Sequence, residues 1–267
     1  MNKYKLIAVD IDGTLLNSNK ELTIKTIETI KKLNEVNVKF TLATGRPIVG
    51  IKQILDKLDL DVLVITYNGA KILKSKSREV IYNKSLNNSD AKKIIELGLI
   101  NKTNLIVWSE EELYVNELND SAIKYSQISN VNVHIINDYK SLYEKPITKI
   151  IWYDDANKVQ DFIKYLNNET FNNVNYHTSN PEFLEFVDGE VSKANALQAL
   201  EKYYNIAKEE IIAIGDGYND LSMIEYAGLG VAMDNAPQGV KDKSDFITKS
   251  NDDDGVSFVI DKFIFNK

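Results

Sequence analysis

An alternation of apolar strands with amphipathic helices over the N-terminal quarter of the chain is the feature that most limits its fold. Apolar runs at 5–9, 38–44 and 61–70 have the pattern of buried strands. Between them, 22–36 and 47–60 carry apolar residues at helical spacing. Strand–helix–strand–helix–strand order is typical of a parallel sheet, because parallel strands need a crossover connection, which is usually a helix.

The same alternation returns near the C-terminus, after a stretch of different character. That intervening stretch is richer in hairpin-like strands and contains both tryptophans. From the returning pattern we predict helices at 193–204, 219–228 and 256–264 and strands at 211–215, 230–233 and 246–248. We therefore predict an α/β fold with a doubly wound, mostly parallel core formed by 1–83 and 189–267, and an inserted α+β cap at 84–188.

Composition excludes several kinds of chemistry. The 267 residues include no cysteine, which excludes disulfides, cysteine metal ligands and cysteine nucleophiles. The net charge is -7 and no basic run occurs, so we expect neither a nucleic-acid nor a membrane-surface partner. No apolar stretch reaches the length of about 18 residues that a transmembrane helix needs, and the first apolar run is too short for a signal peptide. We therefore expect a cytoplasmic protein.

Aspartates follow two of the predicted strands. Asp10 and Asp12 come after the first strand in IAVDIDGTLL (7–16), and Asp216 and Asp220 come after IIAIG (211–215). In an open α/β sheet, ligands bind beyond the carboxyl ends of the strands, where these acids would meet. Crowded carboxylates need a neutralising cation, and oxygen ligands suit Mg²⁺ when the substrate carries phosphate. We predict a Mg²⁺ site with Asp10 and Asp216 as carboxylate ligands and Asp12 contributing its backbone carbonyl.

Two further stretches carry groups that suit a bound phosphate. Thr44 and Gly45 in ATGRP (43–47) offer a hydroxyl and free N–H groups at a helix start, although Thr44 is alternatively an ordinary helix cap. Lys193 in VSKANAL offsets Asp10 and a phosphate, or else is a solvated surface lysine like most lysines. The candidate substrate contacts at the same strand ends are Arg46, which alternatively forms a structural ion pair, and Asn68.

Each aspartate motif also has a simpler interpretation when taken alone. Asp12 before Gly13 fits a turn, and the acids after 211–215 fit a helix N-cap. The occurrence of both motifs directly after buried strands favours a shared site.

Four stretches in this order, DIDGTLL, TGRP, VSK and GDGYNDLSM, resemble the motifs of the haloacid dehalogenase superfamily. The chain is similar to its Cof-type phosphatases, whose α/β cap is inserted between the second and third motifs. GVAMDNA (230–236) and SNDDDGVSFVI (250–260) resemble the C-terminal stretches of that family. The resemblance implies a Mg²⁺-dependent phosphatase that acts on small phosphorylated metabolites, such as sugar phosphates or similar monoesters.

The resemblance also implies a role for each candidate residue. Asp10 would be the nucleophile that forms an aspartyl-phosphate, and Asp12 the general acid and then the general base. The other implied roles are phosphoryl-oxygen contacts for Thr44, Lys193 and Asn219, a magnesium ligand at Asp216, and a ligand or orienting carboxylate at Asp220.

Two rival functions use similar residues. A phosphotransferase such as a mutase would use the same Asp10 and pass the phosphoryl group to a second acceptor. A receiver-type signalling module, phosphorylated on Asp10 by a partner, also combines paired acids, a threonine and a lysine on a doubly wound sheet. Receivers have neither a cap of about 100 residues nor an aspartate two positions after the phosphorylated one.

Overall fold

The computed structural model describes residues 2–129 and 131–267, which form two compact units. The first unit comprises the chain up to Asn83 together with Ser192–Lys267, and the second is Lys84–Val191. We call the first the core unit and the second the inserted unit. None of the helices in the described ranges has the length and apolar composition needed to cross a membrane.

The strands and helices are numbered in chain order. The strands are β1 Leu6–Val9, β2 Lys39–Ala43, β3 Leu63–Thr66, β4 Lys71–Lys74, β5 Val80–Asn83, β6 Asn104–Ser109, β7 Glu112–Val115, β8 Val133–Ile135, β9 Ile147–Tyr153, β10 Val174–Asn180, β11 Phe183–Asp188, β12 Ile211–Gly215, β13 Leu229–Ala232 and β14 Phe246–Ile247. The α-helices are α1 Ile24–Lys32, α2 Lys52–Leu58, α3 Asn88–Ile100, α4 Asp120–Ser129, α5 Tyr139–Tyr143, α6 Ala156–Leu166, α7 Lys193–Tyr204, α8 Leu221–Tyr226, α9 Gln238–Lys241 and α10 Gly255–Phe263.

The core unit is built on a sheet with the strand order β14-β13-β12-β1-β2-β3-β4-β5. The strands from β14 to β3 pair in parallel, and β4 and β5 add an antiparallel hairpin at one edge. Strands β1, β3, β12 and β13 are buried along their whole length, as expected for central parallel strands covered on both faces. Val9 pairs with Leu42 of β2 and with Ile214 of β12, so the carboxyl ends of these three strands lie side by side.

Helices cover both faces of this sheet, which confirms the doubly wound core. The side chains of β1 alternate between the two faces: Ile7 and Val9 belong to one apolar cluster and Leu6 and Ala8 to another. The first cluster includes residues of α10, and the second includes Leu197 of α7. The β1 positions therefore stabilise helix packing on both sides while the strand end remains available for polar groups.

Several predicted elements are shorter than the sequence pattern indicates. The strand predicted over 61–70 ends at Thr66, because Tyr67 and Asn68 adopt left-handed φ values of 51° and 55° and turn the chain. The helices predicted at 47–60 and 219–228 each begin with a 3₁₀ turn, at Ile48–Ile51 and Tyr218–Asp220. The elements α4, β8, α5 and α9 were not predicted from the sequence.

The inserted unit is an α+β sandwich. Its sheet has the order β10-β11-β9-β6-β7-β8, with antiparallel neighbours except for the parallel pair β7–β8. One face packs against α3 and α6, where Trp152 contacts Phe162 edge-to-face with ring centroids 5.2 Å apart. A buried ion pair joins Lys149 of β9 to Glu185 of β11 at 3.2 Å.

Candidate active site

The two strand-end aspartates of the core unit lie next to each other. Asp10 directly follows β1, and its backbone N–H donates to the carbonyl of Ile214 in β12, which continues the ladder by one residue. Asp216 directly follows β12. Asp10, Asp216 and Asp220 each offer a carboxylate oxygen, and these atoms lie within 4.8 Å of one another. The structure therefore brings together three of the four predicted acids.

A buried lysine is hydrogen-bonded to two of these acids. The Lys193 ammonium donates to Oδ1 of Asp10 at 2.6 Å, to Oδ1 of Asp220 at 2.5 Å and to the carbonyl of Ala43 at 2.7 Å. Its side chain is inaccessible to solvent, so Lys193 is not a surface lysine. Three carboxylates and one ammonium carry three negative charges and one positive charge, a sum of −2 when all are ionised.

The position of Lys193 depends on a close backbone contact. Lys193 opens α7, and the side chain of Ser192 caps this helix by accepting a hydrogen bond from the N–H of Asn195. The turn after β3 packs against this helix start. A Cβ added to Gly69, whose φ is +110°, would lie 2.1 Å from the Ser192 carbonyl oxygen. Only glycine permits this approach, which holds the start of α7 against the strand ends.

Asp220 organises the loop that carries Asp216. While its Oδ1 accepts from Lys193, its Oδ2 accepts hydrogen bonds from the backbone N–H groups of Asp216 and Gly217, at 3.0 and 2.9 Å. Both carboxylate oxygens are thus engaged by the protein. This arrangement favours the orienting role for Asp220 over direct metal ligation.

Sequence reasoning missed one contact of Asp216. The hydroxyl of Thr14, which is buried, donates to Oδ1 of Asp216 at 2.8 Å. The preceding Gly13 has a φ of +81°, and a Cβ at this position would lie 2.4 Å from Oδ2 of Asp216. The signal was present in the sequence as the Gly-Thr pair that follows Asp12.

Burial of like charges perturbs the acids. Burial raises the pKa of Asp10 to about 7, because the loss of hydration outweighs the attraction of Lys193, and Asp220 and Asp216 raise it further. Burial also raises the pKa of Asp216, although the Thr14 hydrogen bond opposes this. Burial alone would lower the pKa of Lys193, but Asp10 and Asp220 together raise it.

The cluster fits a hard divalent cation. Its potential ligands are all oxygen atoms, and its summed charge is opposite to that of one divalent ion. A divalent cation held between Asp10 and Asp216 would offset both the loss of hydration and the repulsion that raise their pKa values.

The Asp12 carboxylate does not belong to this cluster, although its charge still acts on Asp216. It is half exposed and forms a bidentate ion pair with Arg46, whose Nε donates to Oδ2 of Asp12 at 2.8 Å and whose Nη2 donates to Oδ1. The structure thus places Arg46 in an ion pair, the alternative that the sequence left open, and its partner is the predicted acid–base residue.

The predicted phosphate-binding groups follow β2, β3 and β12. Thr44 is buried, and its hydroxyl accepts a hydrogen bond from the N–H of Arg46 at 3.1 Å, as a turn cap does. A Cβ on Gly45 would lie 3.1 Å from the side-chain amide of Asn68. The amide of Asn219 donates to Oδ1 of Asn68 at 3.2 Å. Gly45, Asn68 and Asn219 therefore lie together at the carboxyl edge of the sheet.

A family model and two curated relatives name hydrolases, and a solved structure has a similar fold. The family described as haloacid dehalogenase-like hydrolase matches residues 7–260. The chain is 33% identical to the putative phosphatase YxeH of Bacillus subtilis, over 99% of this chain and 100% of that protein. It is 30% identical to the 5-amino-6-(5-phospho-D-ribitylamino)uracil phosphatase YwtE of the same organism, over 97% and 98%. The structure of TM0651 from Thermotoga maritima matches with a TM-score of 0.89 and 33% identity, covering 97% of each chain.

Proposed function

This chain belongs to the haloacid dehalogenase-like hydrolases, and from that premise we propose that it is a Mg²⁺-dependent phosphatase of small phosphorylated metabolites that works through an aspartyl-phosphate on Asp10. One observation carries the proposal: Asp10 is buried at a strand end, hydrogen-bonded to Lys193 and within 4.8 Å of Asp216 through their carboxylate oxygens. The proposed nucleophile, a buried ammonium and the proposed metal ligand thus lie close together.

The first step would transfer the phosphoryl group to Asp10. A carboxylate oxygen of Asp10 attacks phosphorus, the bond from phosphorus to the ester oxygen breaks, and Asp12 as the acid donates its proton to the leaving alcohol. Asp12 suits this role because it lies two residues after the nucleophile and its side chain remains half exposed. Its ion pair with Arg46 must open for Asp12 to carry that proton.

The second step would release phosphate. Asp12, now a carboxylate, removes a proton from water, the resulting hydroxide attacks phosphorus, and the acyl-phosphate bond to Asp10 breaks to give inorganic phosphate. The covalent intermediate thus divides one difficult hydrolysis into two easier displacements, which is the advantage of covalent catalysis.

Charge stabilisation in both steps would come from groups fixed before substrate binds. The Thr44 hydroxyl and the Asn219 amide are proposed to hold phosphoryl oxygens. The Lys193 ammonium, whose three N–H groups already donate to Asp10, Asp220 and the Ala43 carbonyl, is proposed to act on the transferring group through its positive charge. A bound Mg²⁺ would supply further positive charge at the transferring group. Because Lys193 is held by three hydrogen bonds, little reorganisation is needed when charge develops.

Substrates are proposed to be sugar phosphates or similar monoesters. The name of YwtE supports this class, since its substrate carries a phosphorylated sugar-alcohol chain. We also propose that the segment predicted as the cap, 84–188, selects the leaving group.

Phosphate release tests the proposal. The purified protein with Mg²⁺ should release phosphate from at least one member of a panel of sugar phosphates, nucleotides and cofactor phosphates, and excess chelator should abolish this. Asp10→Asn should remove turnover and leave the circular dichroism spectrum unchanged. The matched control is Asp56→Asn, which alters an exposed aspartate paired with Lys52 and should retain full activity.

Three results would contradict the proposal: full activity in chelator, turnover by Asp10→Asn, or the absence of phosphate release across the panel. Analysis of the product also separates hydrolysis from transfer, because only a phosphotransferase would move the group to a second alcohol.

A further inference from the structure

Two loops near the C-terminus bind residues 13–21, which we call the segment that follows Asp10 and Asp12. The first loop follows β13, and the amide of its Asn235 donates to the carbonyl of Gly13 at 2.8 Å. The second follows β14, and the amide of its Asn251 donates to the carbonyl of Leu16 at 2.9 Å. The two asparagines are joined, since the backbone N–H of Asn251 donates to Oδ1 of Asn235 at 3.0 Å. We call Asn235 and Asn251 the asparagine clamp.

The clamp acts on the part of the chain that reaches Asp216. The Gly13 carbonyl belongs to the same peptide unit as the N–H of Thr14, so holding this oxygen fixes the plane from which the Thr14 side chain projects. The Thr14 hydroxyl then donates to Oδ1 of Asp216 at 2.8 Å. A continuous path of hydrogen bonds and one peptide plane therefore joins Asn235 to Asp216.

A second contact restrains the far end of the same segment. The backbone N–H and the hydroxyl of Ser18 both donate to the Asp252 carboxylate, at 2.8 and 2.7 Å. Together with the clamp, this places contacts at Gly13, Leu16 and Ser18, so the segment is held along its length by the C-terminal loops. The segment's own turns, such as the bond from the Leu15 N–H to the Asp10 carbonyl at 3.2 Å, tie it back to the nucleophile.

Core packing does not explain the clamp. Asn235 is exposed and Asn251 is only half-buried, and the contacts described above are hydrogen bonds rather than apolar contacts. A bond of this kind between exposed groups contributes little to global stability, because water replaces it in the unfolded chain. Its effect is expected where geometry matters most, at the metal-binding carboxylates.

We infer that Asn235 and Asn251 are positioning residues that hold the segment after Asp10 so that Thr14 presents Asp216 to a divalent cation. The inference rests on the proposed function for the identity of that cation as Mg²⁺. It assigns a role to the stretches GVAMDNA and SNDDDG, which contribute no group to the proposed chemistry itself.

Calorimetric titration of the substrate-free protein with Mg²⁺ tests the inference. Asn235→Ala should raise the dissociation constant for Mg²⁺ about fivefold, the effect of losing roughly one net hydrogen bond. Asn251→Ala should shift it in the same direction. Combining both changes should raise it less than the product of the single effects, because the Asn235 side chain accepts from the backbone N–H of Asn251 and its removal already loosens the Asn251 contact.

The matched control is Asn17→Ala. Asn17 lies in the same segment, and its side chain, like that of Asn235, forms two hydrogen bonds. It accepts both, from the N–H groups of Asn19 and Glu21, and they stay within the segment. This variant should keep the wild-type affinity for Mg²⁺. Urea unfolding in EDTA should show similar small losses of stability for Asn17→Ala and Asn235→Ala. A merely structural role would therefore affect the two variants equally, and only a positioning role would give them different affinities for Mg²⁺.

Clear results overturn the inference. It fails if folded Asn235→Ala and Asn251→Ala both bind Mg²⁺ within twofold of wild type, if Asn17→Ala weakens binding as much as they do, or if the wild-type protein binds no Mg²⁺. Because the titration uses no substrate, it is independent of turnover. A wild-type protein that binds Mg²⁺ and releases no phosphate would refute the proposed function and leave the clamp standing.

Discussion

Replacing Lys193 by methionine tests the charge balance of the site. The change removes an ammonium that lies 2.6 Å from Asp10 and 2.5 Å from Asp220 and keeps a side chain of similar length. Two buried carboxylates then face each other without a cation. Removing one partner of a buried ion pair costs about 3–5 kcal/mol, because the remaining charge is left uncompensated. The pKa of Asp10 should rise above its wild-type value of about 7, since Lys193 is the main group that lowers it.

The loss of stability should depend on Mg²⁺. In EDTA, we expect the free energy of unfolding of the core unit to fall by the full 3–5 kcal/mol. At saturating Mg²⁺ the fall should be smaller, because the bound ion supplies positive charge to the same carboxylates. Phosphatase activity should fall at least about tenfold, or 1.4 kcal/mol of transition-state stabilisation.

Urea unfolding with two probes provides the measurement. Circular dichroism follows both units, whereas tryptophan fluorescence follows the inserted unit, because Trp108 and Trp152 are the two tryptophans of the chain and both lie there. The control is Lys149→Met, which breaks the buried pair with Glu185 in the inserted unit and should lose stability to the same extent with and without Mg²⁺. Equal losses for Lys193→Met in EDTA and in Mg²⁺ would refute the reasoning.

Three further predictions address the proposed metal site and the inserted unit. Gly13→Ala should weaken Mg²⁺ binding more than about tenfold in a titration, because its Cβ would lie 2.4 Å from Oδ2 of Asp216 and its φ of +81° disfavours alanine; an unchanged affinity would contradict the geometry. Burial raises the pKa of Asp10 to about 7, so a proton competes with Mg²⁺ for this carboxylate below that pH. The affinity for Mg²⁺ should therefore fall by up to about tenfold per pH unit towards pH 6. An affinity that stays constant between pH 5.5 and 8 would count against this. Asp90→Ala should destabilise the inserted unit by about 2–3 kcal/mol, measured by tryptophan fluorescence in urea, because it leaves the backbone N–H groups of two asparagines without their carboxylate acceptor. Burial alone would raise the pKa of Asp90, but these hydrogen bonds hold it below 3.8, so its contribution is present above about pH 4 and is lost as the pH falls further; a wild-type/variant difference that persists undiminished at pH 2.5 would argue against it.

Much of the core fold was predictable because its signals are local. The apolar run at 5–9 predicts a buried strand and the residue pattern at 193–204 predicts a helix, and the structure has them at Leu6–Val9 and Lys193–Tyr204. Periodicity gave too long a strand at 61–70, because the positive φ of Asn68 is a conformational choice that the apolar pattern does not report.

The candidate site was predictable to the extent that acids follow strands. The sequence identifies Asp10 and Asp216 as strand-end residues, and the rule that ligands bind at this edge brings them together. It left open whether Lys193 is buried or solvated and whether Arg46 binds substrate or forms an ion pair. Neighbouring residues in the sequence decide neither question, because each depends on which groups the folded chain brings within hydrogen-bonding distance.

By itself, the sequence determined most strands and helices of the core unit and which chemical groups stand at the strand ends, because spacing along the chain sets which side chains share a face. Only the tertiary structure decided the partners: Lys193 is 183 residues from Asp10, and Asn235 is 222 residues from Gly13, yet each pair is hydrogen-bonded. The order β13-β12-β1-β2 creates these contacts. That order arises from long-range strand pairing and burial on both faces of the sheet, which no local pattern encodes.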